Sequence, residues 1–225
     1  MIITIDGPSV SGKSTIASLL AKELNYFYLY SGLLYRAAAY VLHTHAQYTE
    51  QTIAQVSDAD VHAHINEQRL VYGYTPEKGA YIFFDSQNIT DHLYTMHISQ
   101  LASLVATNNA VRNALNIIQK HIIEYKKVIV DGRDSGSVIF PHAEYKLYIT
   151  AAPEERAHRM QYAYAQKNVY ITHANALKEI MQRDQRDSNR KQAPLIIPQE
   201  ASVIDSTNKT IQEMVSEIRD IIKRP

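Results

Sequence analysis

Residues 7–14 read Gly-Pro-Ser-Val-Ser-Gly-Lys-Ser and match the phosphate-binding loop pattern G-x-x-x-x-G-K-[ST]. An apolar run at 2–5 precedes the loop and predicts a buried strand. The apolar residues that follow lie about one helical turn apart: Ile16, Leu19, Leu20 and Leu24. Strand, loop and helix in this order are the context in which the pattern binds phosphate, and a chance match in a glycine-rich turn is disfavoured.

The backbone N–H groups of such a loop point at phosphate oxygens, and the positive end of the following helix adds to the attraction. We expect Lys13 to bridge the terminal phosphates and the Ser14 hydroxyl to bind Mg²⁺. The residues predicted to surround the phosphates are Gly7, Pro8, Ser9, Val10, Ser11, Gly12, Lys13, Ser14 and Thr15.

Strands and helices alternate along the rest of the chain. Apolar runs at 128–131, 145–149 and 202–205 predict strands, and one long helical pattern runs from 97 to 124. Alternation of this kind predicts an α/β fold, a P-loop three-layer architecture around a central parallel sheet. The polar motifs that follow the strands then meet at the sheet's carboxyl edge, where such folds bind ligands.

A predicted hairpin follows residues 36–66, which have a helical pattern. The segments 69–74 and 80–84 alternate like strands, and Pro76 and Gly79 mark a turn between them. We therefore predict an inserted subdomain with a small antiparallel sheet.

Composition excludes several classes of protein. The chain has 23 basic and 23 acidic side chains, so its charge favours neither nucleic acid nor an anionic membrane. It has no Cys, which excludes disulfides and zinc–thiolate sites, and neither His43 with His45 nor His62 with His64 has the spacing of a helical metal site. No apolar run is long enough to span a bilayer, and a strand that begins at residue 2 leaves no room for a signal peptide. We expect a cytoplasmic monomer.

A second motif, Asp131-Gly132-Arg133-Asp134, follows directly on a predicted strand. A carboxylate in that position beside the P-loop strand binds Mg²⁺ or its water ligands, and one or two such groups suffice because Mg²⁺ keeps several waters. We assign this role to Asp131. An ordinary surface turn is the alternative, since Asp-Gly often marks one.

These residues resemble the bacterial cytidylate kinases, a family of nucleoside monophosphate kinases. The resemblance covers nearly the whole chain: 7–14, 31–36, 131–134, 138–141, 153–157, 183–190 and 203–207. It implies transfer of the γ-phosphoryl group of ATP to CMP, and to dCMP as well, with Mg²⁺. It also implies a P-loop core (1–35, 96–154 and 191–225), a CMP-binding insertion (36–95) and a lid with its flanking helices (155–190).

The family's site residues map onto this chain by their motifs. The groups implied at the acceptor phosphate are Ser31, Arg36, Arg133 and Arg190. Those implied at the cytosine edge are Ser103, Arg112 and Asp134, and those at the ribose are Arg183 and Asp187. Arg159 belongs to the lid over ATP, and the residues expected to act in catalysis are Lys13, Arg133, Arg183 and Arg190.

Phosphoryl transfer needs cations near two polyanions, and the planar fork of arginine grips two oxygens at once. In one helix, Arg183, Arg186 and Arg190 form a stripe on one face. The alternative is a solvated face with Asp184 and Asp187 as partners. For Ser103 and Arg112, nine residues apart in the long predicted helix, ordinary helix surface is the alternative.

Two positions depart from the family pattern. Tyr30 stands where the family usually has Asp before Ser-Gly, and Val10 stands where it often has Gly. Two other functions stay open: a P-loop kinase for another nucleotide or metabolite, and a nucleotide-binding module without transfer. The Asn/Thr-Lys-x-Asp motif that reads guanine in GTPase switches is missing, because Asn208-Lys209 lacks its Asp.

Overall fold

The computed structural model describes residues 1–124, 126–166 and 168–223. Lys167, in the predicted lid, and Arg224 and Pro225, at the end of the predicted core, lie outside these ranges. The chain divides into two compact units, one formed by Met1–Glu23 with Asp131–Pro225 and the other by Leu24–Val130. The finer limits of core, insertion and lid stay a prediction.

The main sheet confirms the predicted α/β class. In the described residues, five strands follow the order β2-β6-β1-β7-β8. Their bounds are β1 Ile2–Asp6, β2 Phe27–Tyr30, β6 Val128–Asp131, β7 Tyr145–Thr150 and β8 Ser202–Asp205. β7 pairs in parallel with β1 and with β8, and Ile3, Ile5, Leu147 and Ile149 are fully buried.

The predicted hairpin forms a second, antiparallel sheet. β3 (Leu70–Thr75) pairs with β4 (Gly79–Phe84) from Leu70 opposite Phe84 to Thr75 opposite Gly79. A short strand, β5 (Gln87–Asn88), adds to the outer edge of β4. The two-residue β5 has no periodic signal in the sequence.

The long helix predicted from 97 to 124 is wrong, because the structure has two helices there: α4 (Met96–Val105) and α5 (Asn109–Ile122). The Asn108 side chain accepts a hydrogen bond from the Val111 N–H and caps α5, which begins a new helix in the middle of the apolar pattern. Ser103 and Arg112 therefore lie on different helices. The same unit also contains α2 (Ser31–Thr44) and α3 (Asp58–His64).

Three further helices begin at sequence features that favour a helix start. α1 (Lys13–Leu24) follows the loop, and α6 (Pro153–Ala165) has Pro153 in its first turn, where the missing N–H costs nothing. α7 spans His173–Asn189, and α8 (Ile211–Ile222) begins with a capping box between Thr210 and Glu213. None of the helices in the described ranges has the length and apolar content that crossing a bilayer requires.

A buried carboxylate at the end of β1 organises the turn that follows Asp134. Asp6 accepts hydrogen bonds from the N–H groups of Ser135 at 2.9 Å and Gly136 at 2.7 Å, at the start of a π-helical turn, Ser135–Ile139. Burial raises the pKa of Asp6 from 3.8 to about 6, although these hydrogen bonds oppose the shift. The carboxylate thus fixes the backbone after Asp131-Gly132-Arg133-Asp134 at a cost in solvation.

Asp6 makes the unfolding free energy depend on pH. Because its pKa is higher in the folded state, folding takes up a proton between pH 3.8 and about 6, and the stabilisation present below this range is lost as the pH rises through it. We expect wild type to lose about 2–3 kcal/mol relative to Asp6→Asn over this range, measured by urea unfolding. Parallel pH profiles of the two proteins would contradict this.

Candidate active site

The phosphate-binding loop depends on glycine at its first position. Gly7 has φ +148°, and a Cβ there would lie 2.0 Å from the Ile149 carbonyl oxygen on β7. Gly12 also has a positive φ, +89°. Both residues therefore adopt backbone conformations that L side chains rarely reach, which is how the loop turns its N–H groups inward before α1.

Val10 is a strained position in the same loop. Its φ is +58°, in the left-handed region that disfavours β-branched residues. Its side chain packs against a buried cluster on α6 and α7 formed by Ala157, Met160, Ala176 and Ile180. This contact offsets part of the backbone strain, which explains how Val is tolerated where the family often has Gly.

Lys13 lies in a crowded positive environment. Its ammonium donates to the Pro8 carbonyl oxygen at 2.8 Å, and the residue is 5% exposed. Burial lowers the pKa of Lys13 well below its usual value; the charges of Arg133 and Arg183 lower it further, while Asp131 and Asp187 oppose them. The lysine is thus held beside arginines in a place where an added anion would be strongly favoured.

Ser14 and Asp131 supply adjacent oxygens. The Ser14 hydroxyl donates to the Asp131 carboxylate, and the Gly132 N–H donates to the Ile5 carbonyl oxygen at 3.1 Å, which fixes the end of β6. Mg²⁺ prefers such hard oxygen ligands and needs few of them. The described residues hold no cluster of three or more His, Asp or Glu that could bind a metal. The assignment of Ser14 and Asp131 to Mg²⁺ stays a prediction.

Two ion pairs, one of them almost fully buried, hold Arg133 and Arg190. Arg133 Nε donates to Asp187 Oδ2 at 2.9 Å, and Arg190 Nη2 donates to Asp134 Oδ1 at 3.0 Å. The second pair is almost fully buried, with side chains 5% and 4% exposed. Burial raises the pKa of Asp187, but the charges of Arg133, Arg183 and Arg190 outweigh it and leave the pKa below its usual value.

The prediction that Arg183, Arg186 and Arg190 form a stripe on one helix is wrong for Arg190. α7 ends at Asn189, and Arg190 is extended, with φ −64° and ψ 141°. Its Nε donates to the Ala193 carbonyl oxygen three residues later. The guanidinium reaches Asp134 because the chain leaves the helix, which the i, i+3, i+7 spacing does not reveal.

A cavity of about 620 Å³ opens beside the loop. The first turns of α1, the outer face of α6 and the start of α8 line it, with Arg159 and Tyr162 on α6 and Lys209 and Ile211 on the other side. Its position next to Lys13 and Ser14 fits the remainder of a nucleotide whose phosphates lie in the loop.

Ser206 joins the loop to Arg159. The Ser206 hydroxyl donates to the Ser11 carbonyl oxygen at 3.0 Å, and Arg159 Nη2 donates to the Ser206 carbonyl oxygen at 2.7 Å. Arg159 Nε also donates to Glu155 at 2.9 Å. Arg159 therefore lies along the cavity wall, and its role over the donor nucleotide stays a prediction.

A buried network ties the loop to α7 through Arg156, a residue to which the sequence analysis gave no role. Arg156 Nη1 donates to the Ser9 carbonyl oxygen at 3.1 Å and to Asp184 at 2.5 Å, while Nε donates to the Ala151 carbonyl oxygen at 3.0 Å. The Ser9 hydroxyl donates to the same carboxylate at 3.2 Å. The only available signal was that Arg156 and Asp184 each fall inside a motif shared with the resembled family.

In the unit Leu24–Val130, Ser31, Ser103 and Arg112 are 4%, 5% and 2% exposed. The alternative of ordinary helix surface for Ser103 and Arg112 is therefore wrong. Arg112 Nη1 donates to the Ala106 carbonyl oxygen at 3.4 Å, and its guanidinium lies 5.7 Å from the Tyr35 ring centroid. Arg36, on α2, donates to the Leu93 carbonyl oxygen and to Ser99 Oγ.

The sequence profile described as cytidylate kinase matches residues 3–224. This chain belongs to the cytidylate kinase family. A protein from Clostridioides difficile named cytidylate kinase is 35% identical over 223 residues, covering 97% of this chain and 96% of the relative. One of the same name from Colwellia psychrerythraea is 38% identical over 220 residues, covering 96% and 93%.

Structural similarity supports the fold alone. A crystal structure of an uncharacterized protein from Eubacterium ventriosum has a TM-score of 0.53 at 13% identity and covers 100% of this chain and 99% of its own. The family membership confirms the resemblance that the sequence motifs carry, whereas the roles of single site residues stay predictions.

The Arg156 network predicts a loss of stability when its cation is removed. Arg156→Met keeps much of the side-chain volume but removes the ion pair with Asp184 and the donor to two carbonyl oxygens. We expect the free energy of unfolding in urea to fall by about 2–4 kcal/mol. Lys178→Met, at an exposed position of α7, is the matched control and should change it by less than about 0.5 kcal/mol. Equal effects of the two substitutions would contradict a structural role for the network.

Proposed function

We propose that this protein transfers the γ-phosphoryl group of ATP to CMP, and also to dCMP, giving ADP and CDP or dCDP. The observation that carries the proposal is the cluster of Lys13, Arg133 and Arg183 at a phosphate-binding loop, where burial lowers the pKa of Lys13 and both arginines lower it further. Such a concentration of positive charge around a buried lysine is unfavourable by itself and becomes favourable when phosphates bind.

The reaction is a direct displacement. An oxygen of the acceptor phosphate attacks the γ-phosphorus of ATP in line, the bond to the oxygen that bridges the β- and γ-phosphates breaks, and ADP leaves with that oxygen. The attacking oxygen is already anionic, so no general base is required. The loop N–H groups and Lys13 hold the donor, and Arg133, Arg183 and Arg190 offset the charge that spreads over the transferred group.

The buried ion pairs give the arginines a defined position before substrate binds. Asp187 and Asp134 hold the guanidinium groups of Arg133 and Arg190 at 2.9 Å and 3.0 Å. A phosphate offers oxygens of the same geometry and higher charge, so it competes with the carboxylates for the same forks. Ser31 and Arg36 complete the set proposed for the acceptor phosphate.

Mg²⁺ belongs to the same proposal. Ser14 and Asp131 would hold it together with phosphate oxygens of ATP, because their oxygens meet at the end of the loop. When bound, Mg²⁺ neutralises charge on the phosphates that face it.

The base is read by hydrogen bonds to its polar edge. Cytosine presents an amino donor at N4 and acceptors at O2 and N3, so the Asp134 carboxylate matches the donor and Arg112 matches the acceptors. Ser103 is proposed for the same edge of the base. Uracil has an acceptor where cytosine has the amino group and would face Asp134 with repulsion. Asp187 and Arg183 are the groups proposed for the ribose.

We also propose that 36–95 and the lid close over the substrates, since an open cleft would let water attack ATP. Arg159 then covers the donor. The chain works as a monomer in the cytoplasm under this proposal.

The function is tested by ADP release from ATP and Mg²⁺ with CMP, dCMP, UMP or AMP as acceptor. The proposal expects rapid release with CMP and dCMP and much slower release with the others. Faster turnover of another acceptor would favour a different kinase, and acceptor-independent ATP binding without ADP release would favour a binding module.

Lys13→Ala tests the phosphate-binding loop. Among the described residues, the Lys13 ammonium donates to the Pro8 carbonyl oxygen alone, so we expect the fold to persist, checked by circular dichroism and thermal melting. We expect kcat with CMP to fall by at least about a hundredfold, because charge stabilisation of the transferred group is lost. A folded Lys13→Ala protein with near-wild-type turnover would overturn the assignment.

Asp134 carries a prediction about acceptor selectivity. Asp134→Asn keeps an oxygen for Arg190 but presents an amide donor that suits uracil, whereas Asp134→Ala removes both functions. We expect the ratio of kcat/KM for CMP to that for UMP to fall by about tenfold or more in each folded variant. An unchanged ratio would rule out a base-reading role for Asp134.

A further inference from the structure

Tyr30 lies at the junction of β2 and α2 in the unit Leu24–Val130. It is the last residue of β2 and the N-cap residue of α2, directly before Ser31, and its side chain makes no capping hydrogen bond. Its ring covers Gly32 so closely that a Cβ on Gly32 would lie 2.7 Å from Tyr30 Cε2. The family usually has Asp here, so the ring over Gly32 is a property of the present chain.

Neighbouring tyrosines fix the position of Tyr30. The Tyr30 N–H donates to Tyr72 Oη at 2.9 Å, and the Tyr72 hydroxyl donates to the Tyr28 carbonyl oxygen at 2.8 Å, which fixes the end of β2. The Tyr28 ring lies nearly parallel to that of Tyr30, with centroids 6.2 Å apart, and Tyr74 packs edge-on against Tyr28 at 5.8 Å. The position of the Tyr30 hydroxyl is therefore set by packing.

Arg36 lies on the first turns of the same helix, and the groups that contact its guanidinium among the described residues are neutral. Its Nη1 donates to the Leu93 carbonyl oxygen at 3.5 Å and its Nη2 to Ser99 Oγ at 3.3 Å, both long, and its guanidinium lies 5.8 Å from the Tyr94 ring centroid. No carboxylate of the described residues forms a salt bridge with it, unlike Arg133 and Arg190. A partly buried cation of this kind favours an anionic ligand.

The Tyr94 ring lies near this cation, and the Tyr30 phenol is close enough to Tyr94 to act on its pKa. Burial raises the pKa of Tyr94, the nearby Tyr30 phenol raises it further, and the Arg36 charge opposes both. The Tyr94 hydroxyl therefore stays protonated at neutral pH and keeps a proton to donate. Tyr30, Tyr94 and Arg36 together form what we call the phenol clamp.

We propose that the phenol clamp binds the phosphate of the acceptor nucleotide, with the Tyr30 hydroxyl donating a hydrogen bond to a phosphate oxygen beside the Arg36 guanidinium. This inference rests on the proposed function and adds a binding residue to it. The chemistry separates Tyr30 from the residue it replaces, because a phenol donates to an anion whereas an ionised carboxylate only accepts. Tyr30 thus makes the acceptor site of this chain more attractive to a phosphate dianion.

The test removes one hydroxyl and compares two ligands. Tyr30→Phe keeps the ring that covers Gly32, and we expect it to weaken CMP binding by about tenfold or more, measured by calorimetry, because a hydrogen bond to a charged group is lost. Inhibition by cytidine, which lacks the phosphate, should stay within about twofold of wild type, and so should KM for ATP. Tyr74→Phe, in the same aromatic cluster, is the matched control and should bind CMP as wild type does.

The outcomes separate this inference from the proposed function. If wild type neither binds nor phosphorylates CMP, the proposed function and the phenol clamp fall together. If wild type phosphorylates CMP and folded Tyr30→Phe binds it as tightly as wild type does, the clamp alone is overturned. Equal weakening for CMP and cytidine also overturns it, since the hydroxyl would then not act on the phosphate. Should Tyr30→Phe fail to fold, Tyr94→Phe provides the same comparison with the same expected loss for CMP.

Discussion

The site depends on a concentration of cations around one buried lysine and on the carboxylates that offset their mutual repulsion. Burial lowers the pKa of Lys13, the charges of Arg133 and Arg183 lower it further, and Asp131 and Asp187 oppose the shift. The pairs Arg133–Asp187 and Arg190–Asp134 therefore do more than link elements. They keep positive charge concentrated without a ligand, and removing one partner of such a pair is costly. When a phosphate binds, it replaces the carboxylates of Asp187 and Asp134 at guanidinium groups that are already in position.

The local framework of the site could be predicted from sequence. The loop motif, the strand before it, Pro153 and the Thr210 capping box each depend on residues close together in the chain. The break at Asn108 could not be predicted, because apolar spacing continues across it and a side-chain cap decides where α5 begins. The extended conformation of Arg190 could not be predicted for a related reason: its partner Asp134 lies 56 residues away in the chain.

The two departures from the family pattern have different physical consequences. Val10 has a left-handed backbone conformation, and its side chain packs on the α6–α7 cluster. The packing therefore offsets part of the backbone strain within one unit. Tyr30 changes chemistry, since a carboxylate is replaced by a ring that packs on Tyr28 and a hydroxyl that donates. Neither effect follows from the motif alone, because both need the neighbours that the fold supplies.

The most direct measurement is a crystal structure with a compound that joins adenosine to cytidine through a chain of phosphates. The account predicts that the guanidinium groups of Arg133 and Arg190 lie within hydrogen-bond distance of phosphate oxygens, with Lys13 on the donor side of the same chain. Guanidinium groups that face bulk water, or that keep their carboxylates and touch no phosphate, would contradict it.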